Sequence, residues 1–166
     1  MQDYLLEKSS IFDLAKDCCS GRNKNQSTRF VIADESSADL AELINGAKEP
    51  VFQIGSTEDP IGLISKVLDR QRQEGQLVEE LHFIAHGSRD GIYLGGQFID
   101  TAELEKNAVE LENWNLKRIV LWSCYVGGNP KWIEKLEELT DAEVFSIQEQ
   151  INREHIWVQN SKFKRK

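Results

Sequence analysis

The chain has 166 residues, a formal net charge of −8, 40% hydrophobic and 29% charged side chains. That is the balance of a soluble globular protein of a size that buries a core as one domain. The acidic excess argues against a broad phosphate-binding face, so no nucleic-acid partner is expected. No apolar run approaches the roughly 18 residues of a membrane span, so no membrane partner is expected either.

Residues 1–28 read as an extension. Leu5, Leu6, Ile11, Phe12, Leu14 and Ala15 recur at loosely helical spacing over 4–19, and the polar SGRNKNQST that follows is a linker. No basic stretch leads into an apolar one, as a secretion signal would require. Three cysteines form no disulfide framework. A cytoplasmic protein with reduced thiols is the expectation.

From residue 29 to about 160 the pattern turns regular. RFVIADE predicts a strand, SSADLAELING a helix capped by Ser, and PVFQI a second strand. STEDPIGLISKVLDRQRQEG predicts a helix with Pro60 in its first turn and Gly75 past its end. ELHFIAHG is the third strand, and GIYLGGQFI a hairpin turned at Gly95 and Gly96. DTAELEKNAVELENW predicts one helix with Asp100 or Thr101 as cap and Glu103 in a capping box. KRIVLWSC is the fourth strand, NPKWIEKLEELTD a helix opening at Pro130, AEVFSI the fifth strand and HIWVQ a sixth. A short basic tail occupies 161–166. Alternating strands and helices predict an α/β domain, a mainly parallel sheet with helices on both faces.

In such a sheet ligands bind beyond the carboxyl ends of the strands. Two strands finish there on residues able to do chemistry: His86-Gly87 and Ser123-Cys124. Were those strands neighbours, about 4.8 Å apart, a thiol and its proton-transfer partner would meet at one edge. Taken singly, each has an ordinary reading, a turn for His-Gly and a small buried side chain for cysteine. Gly87 is expected to turn the chain sharply and offer its N–H as an oxyanion donor beside that of Cys124. Gly127 and Gly128 would leave room near the thiol, and the helix opening at Pro130 would favour thiolate.

Asp34, Trp122 and Glu149 are candidates for a substrate pocket. The competing reading is a solvated loop carboxylate for the two acids and core packing for Trp122 and Trp132. His82, about 13 Å before His86 along a strand, reads as a packing histidine, and His155 as a surface one. No structural zinc set and no phosphate loop are expected, and no cofactor.

FIAHGSRDGIYLGG followed by RIVLWSCYVGG resembles the caspase-like clan of cysteine peptidases, which includes caspases, metacaspases, gingipains, legumain and separase. The closest likeness is to a small bacterial domain of unknown function in that clan, whose SHG and GC motifs are matched in order by AHGSRDGIYLGG and IVLWSCYVG, with LEELTDAEVFSI after them. The resemblance covers about residues 29–147. It implies a doubly wound sheet of order 2-1-3-4-5-6, Cys124 as nucleophile, His86 as the acid-base residue and Gly87 in the oxyanion hole. A protein or peptide substrate follows, with self-processing as an extension. Two departures stand out: Trp122 holds the place where metacaspases carry an aspartate, and QEQINRE replaces the usual stretch after strand five. The alternatives are a silent interaction module on the same scaffold and a cysteine-dependent hydrolase or acyltransferase for a small substrate.

Overall fold

The structure is a computed structural model, and it describes residues 28–40, 51–123, 125–146 and 164–165. The expected helix over 4–19 and the HIWVQ strand lie outside the described residues.

Five parallel strands form the main sheet: β1 (Thr28–Asp34), β2 (Val51–Ile54), β3 (Val78–Ile84), β7 (Arg118–Trp122) and β8 (Glu143–Ser146), in the spatial order β2-β1-β3-β7-β8. Each is a short run rich in Val, Ile and aromatics, the residues that fill a pleated surface buried on both sides. A two-residue strand within the basic tail, β9 (Lys164–Arg165), adds antiparallel to the far edge of β8. β3 lies at the centre, with Phe30 of β1 and Ile119 of β7 both beside its Leu81. The architecture is α/β, with helices flanking a mainly parallel sheet.

One face of that sheet carries Phe30, Ile32, Leu81, Phe83, Ile119, Leu121 and Val144, all within the main core. The described α-helices share this core. Helix α1 (Pro60–Gln73) is started by Asp59, whose carboxylate accepts from the Gly62 N–H, and by Pro60, whose ring pre-sets the helical φ. It buries Ile61, Ile64 and Leu68. Helix α4 (Pro130–Thr140) repeats the device with Asn129 and Pro130 and buries Trp132, Ile133 and Leu136. Trp132 is a core residue, its indole N–H donating to the Ile99 carbonyl at 3.0 Å.

The single helix expected over 100–114 is two, α2 (Thr101–Lys106) and α3 (Ala108–Glu112). Asn107 breaks it: its side-chain amide donates to the Glu103 carbonyl at 2.8 Å, beside its own backbone N–H on the same oxygen. Short amide side chains compete with the helical ladder in this way. Asp100, not Thr101, is the cap of α2. Where SSADLAELING predicts a regular helix, the described part is a 3-10 helix over Glu35–Leu40, kinked at Ser37.

Beyond β3 the chain builds a second, three-stranded sheet from β4 (Gly87–Ser88), β5 (Gly91–Leu94) and β6 (Gln97–Ile99). The hairpin turned at Gly95 and Gly96 is as expected, but Gly87–Ser88 is not plain loop: it pairs antiparallel with β5. Among the described residues no helix is long and apolar enough to cross a membrane.

Candidate functional site

The carboxyl ends of β1, β3 and β7 lie side by side. The register pairs Ile84 of β3 with Trp122 of β7, two residues before His86 and two before position 124. The Ala85 N–H, donating to the Trp122 carbonyl at 3.4 Å, carries the pairing one step further. Cys124 and Glu149 themselves lie outside the described residues.

At His86 the backbone leaves the main sheet and joins the small one, since the Tyr93 N–H donates to the His86 carbonyl at 2.8 Å. The ring is held from the other side. Its Nε2 lies 3.3 Å from the backbone carbonyl of Ser36, in the loop after β1. A carbonyl only accepts, so Nε2 carries the proton and, in the neutral ring, Nδ1 carries the lone pair. Ser36 is fifty residues away in sequence, and it meets His86 only because β1 and β3 are neighbours.

Gly87 does not turn the chain sharply, contrary to expectation; it is extended within β4, opposite Ile92. Its freedom from positive φ has a use. His86 and Tyr93 form the hydrogen-bonded pair, and antiparallel pairs alternate. Gly87 and Ile92 are therefore the non-bonded pair, and the Gly87 N–H is directed away from β5, on the outer side of this edge strand.

The residues flanking position 124 are unusual. Ser123 is fully buried and its hydroxyl has no partner among the described residues. Tyr125 has φ 60°, in the left-handed region, and is exposed. The other described non-glycine residues with positive φ are Asn115 and Asp141, types that take this conformation readily. For a tyrosine it costs about 1–3 kcal/mol, and such strain gathers at active sites and ligand clamps. A short 3-10 helix (Val126–Gly128) follows, leading to Asn129, the cap of α4. At Gly128 an added Cβ would meet no atom of the described residues within 4 Å.

Asp34 is not a solvated loop carboxylate. It is 3% exposed and spans three donors: the Gly95 N–H at 2.8 Å on Oδ1, the Ser36 N–H at 3.1 Å on Oδ2, and the Ser36 hydroxyl, also on Oδ2. Its burial and three internal donors commit it to holding the loop after β1 and the Gly95 turn.

Trp122 is 4% exposed and is likewise occupied. Its indole N–H donates to His82 Nδ1 at 3.0 Å, and the two rings stack. Because an indole only donates, His82 Nδ1 is bare and its Nε2–H donates to Glu80 at 2.6 Å. Glu80 also receives Arg29 at 3.1 Å and Arg118 at 3.2 Å. Burial pushes the Glu80 carboxyl up, but the His82 hydrogen bond and the charges of Arg29 and Arg118 outweigh it and hold the group below the ordinary carboxylate range. His82 is therefore a structural residue, as expected, but within a polar network rather than an apolar core. Alternation along β7 and β3 gave no sign of that network, because Trp122 lies beside Ile84 and reaches His82 only on the diagonal.

The family model described as Domain of unknown function (DUF4347) matches residues 30–155. No curated protein matches the chain.

Proposed function

We propose that this chain, which belongs to the DUF4347 family of domains of unknown function, is a caspase-like cysteine endopeptidase of the reducing cytoplasm that hydrolyses peptide bonds with a Cys124–His86 pair. The observation that carries this reading is the register of β3 on β7. Ile84 lies beside Trp122, so the motifs ending in His86 and Cys124 leave adjacent parallel strands at the same level. The order β2-β1-β3-β7-β8, with β9 at the far edge, supports a caspase-like arrangement of the sheet.

The chemistry follows from the groups. The Cys124 thiolate attacks the scissile carbonyl, and the carbonyl π electrons move to oxygen. The Gly87 N–H, directed away from β5, and the Cys124 N–H receive that oxyanion. As the oxyanion collapses the C–N bond breaks, and the imidazolium of His86 gives its proton to the departing amine. Water, deprotonated by the now neutral His86, then attacks the thioester, and the acid is released as the thiolate re-forms. Trp122 and Asp34 are already committed internally, so a substrate pocket has to be formed by other residues, with Glu149 and the region of Gly128 the remaining candidates.

Alkylation by iodoacetamide tests the pair. Cys124 is expected to react at neutral pH at least about tenfold faster than a free cysteine, because a depressed thiol pKa raises the thiolate fraction. His86→Ala is expected to abolish that advantage and to lower peptide cleavage by roughly 10²–10⁴-fold. A thiol that reacts like free cysteine whether or not His86 is present sinks the peptidase reading and leaves a silent interaction module. An activated thiol with every member of a peptide library left intact, by mass spectrometry, points instead to a small-substrate hydrolase or acyltransferase.

A further inference from the structure

The structure assigns to Asp34 the positioning of His86, through two separate tethers that both begin at its carboxylate. The first runs to the imidazole: Oδ2 holds Ser36 by its N–H and its hydroxyl, and the Ser36 carbonyl takes the His86 Nε2–H at 3.3 Å. The second runs to the backbone. Oδ1 holds the Gly95 N–H at 2.8 Å, Gly95 closes the β5–β6 hairpin, and β5 holds the His86 carbonyl through the Tyr93 N–H at 2.8 Å. Ring and main chain of His86 are thus set by one group.

Three features make this more than turn chemistry. Asp34 is 3% exposed, and among the described residues no cation pairs with it. A buried carboxylate so placed costs more than a neutral side chain that merely packs, and among the described residues its three donors compensate it. Secondly, all three contacts require an acceptor. An amide could turn its oxygen to Gly95 or to Ser36, but its NH₂ would then confront the other donor. Thirdly, the hairpin is shaped for the contact. Gly95 has φ 59°, and a Cβ there would lie 2.6 Å from Thr57 Cγ2 and 3.1 Å from the Gly55 carbonyl oxygen. Thr57 in turn donates its N–H to the Gly95 carbonyl at 2.9 Å, pinning the turn from the loop after β2.

The catalytic consequence rests on the peptidase reading; the tethering of His86 does not. In the full chain, Asp34→Asn, Ser36→Ala and, as a mild core destabiliser remote from the tethers, Ile64→Val are compared by two measurements below their melting temperatures. Amide hydrogen exchange reports the backbone tether, and the pH profile of Cys124 alkylation reports the ring. Asp34→Asn is expected to speed exchange at Gly95 and Tyr93 by about tenfold or more, the equivalent of one lost hydrogen bond. It should also shift the alkylation profile to higher pH, towards that of a free thiol, whose rate rises through about pH 8.5. Ser36→Ala, which keeps the Ser36 N–H and carbonyl, should weaken the alkylation advantage by a few-fold, roughly as for one of two donors to Oδ2. Ile64→Val should leave the profile unchanged. The proposal is overturned if folded Asp34→Asn keeps wild-type exchange at Tyr93 and a wild-type profile, or if Ile64→Val produces the same changes. Should Asp34→Asn not fold, the profile of Ser36→Ala decides in its place, an unchanged one overturning the proposal. If wild-type Cys124 shows no activation, the peptidase reading fails while exchange at Gly95 and Tyr93 still judges the tethers.

Discussion

Two histidines four residues apart carry their protons on the same nitrogen for different reasons. At His86 a carbonyl acceptor, Ser36, engages Nε2; at His82 a donor-only indole occupies Nδ1 and drives the proton to Nε2, towards Glu80. His82 is thereby committed to the polar network on Glu80. Trp122→Phe tests that commitment. It leaves His82 Nδ1 without its donor in a largely buried site, and is expected to lower unfolding free energy by roughly 1–3 kcal/mol, read from the urea midpoint at constant m. At this scale the sequence was legible in part. His86 was recognisable because an apolar strand ran straight into His-Gly. Asp34 was recognisable as a residue at the right edge but not in its burial, since a strand-end aspartate looks the same whether water or a distant hairpin supplies its donors.

Punctuation residues set the elements. Asp59 and Pro60 start α1, Asn129 and Pro130 start α4, and each aspartate or asparagine satisfies N–H groups that the first helical turn leaves over. Asp59→Ala removes the acceptor for the Gly62 N–H and is expected to cost about 0.5–2 kcal/mol, visible as a lower melting temperature by circular dichroism. The five parallel strands of the main sheet were foreseeable from β-branched and aromatic runs, to within about three residues at their ends, whereas β9 was read only as basic tail. The breaks were not. Asn107 sits in a continuous helical pattern, and its side-chain bond to the Glu103 carbonyl accompanies the departure of its backbone from helical geometry between α2 and α3. The pairing of Gly87–Ser88 with β5 was hidden for another reason: two residues carry no periodicity, and a hairpin partner alone gives them strand character.

At the scale of the sheet, the face opposite the described α-helices carries a charged cluster beside buried Val31 and Val120. Arg29 from β1, Glu80 and His82 from β3 and Arg118 from β7 meet on one carboxylate, and Arg118 also lies over the Phe145 ring of β8 at 5.2 Å from its centroid. The Glu80 carboxyl is held below its ordinary value of 4.5. A carboxyl depressed in the folded state contributes stability that is complete above its unfolded pKa and disappears as pH falls through the folded one. Stability measured by urea titration is therefore expected to decline below about pH 5 with a component that Glu80→Gln removes. The same change should cost about 1–3 kcal/mol at pH 7, where two guanidinium groups lose a charged acceptor. A flat difference between wild type and Glu80→Gln across the acid range would show that this carboxylate does not link the three strands.

What the sequence determined by itself is whatever depends on neighbours along the chain: the alternation of buried strands with capped helices, the hairpin at Gly95 and Gly96, and the placing of His86-Gly87 and Ser123-Cys124 at strand ends. These are local matters of propensity, capping and apolar period. The tertiary structure decided the rest, because it concerns partners dozens of residues apart. It set β3 between β1 and β7, brought the Ser36 carbonyl to His86, joined Asp34 to Gly95 and closed Trp122 onto His82. A hydrogen bond needs its two atoms within about 3 Å, and strand order, not sequence distance, determines which pairs achieve that.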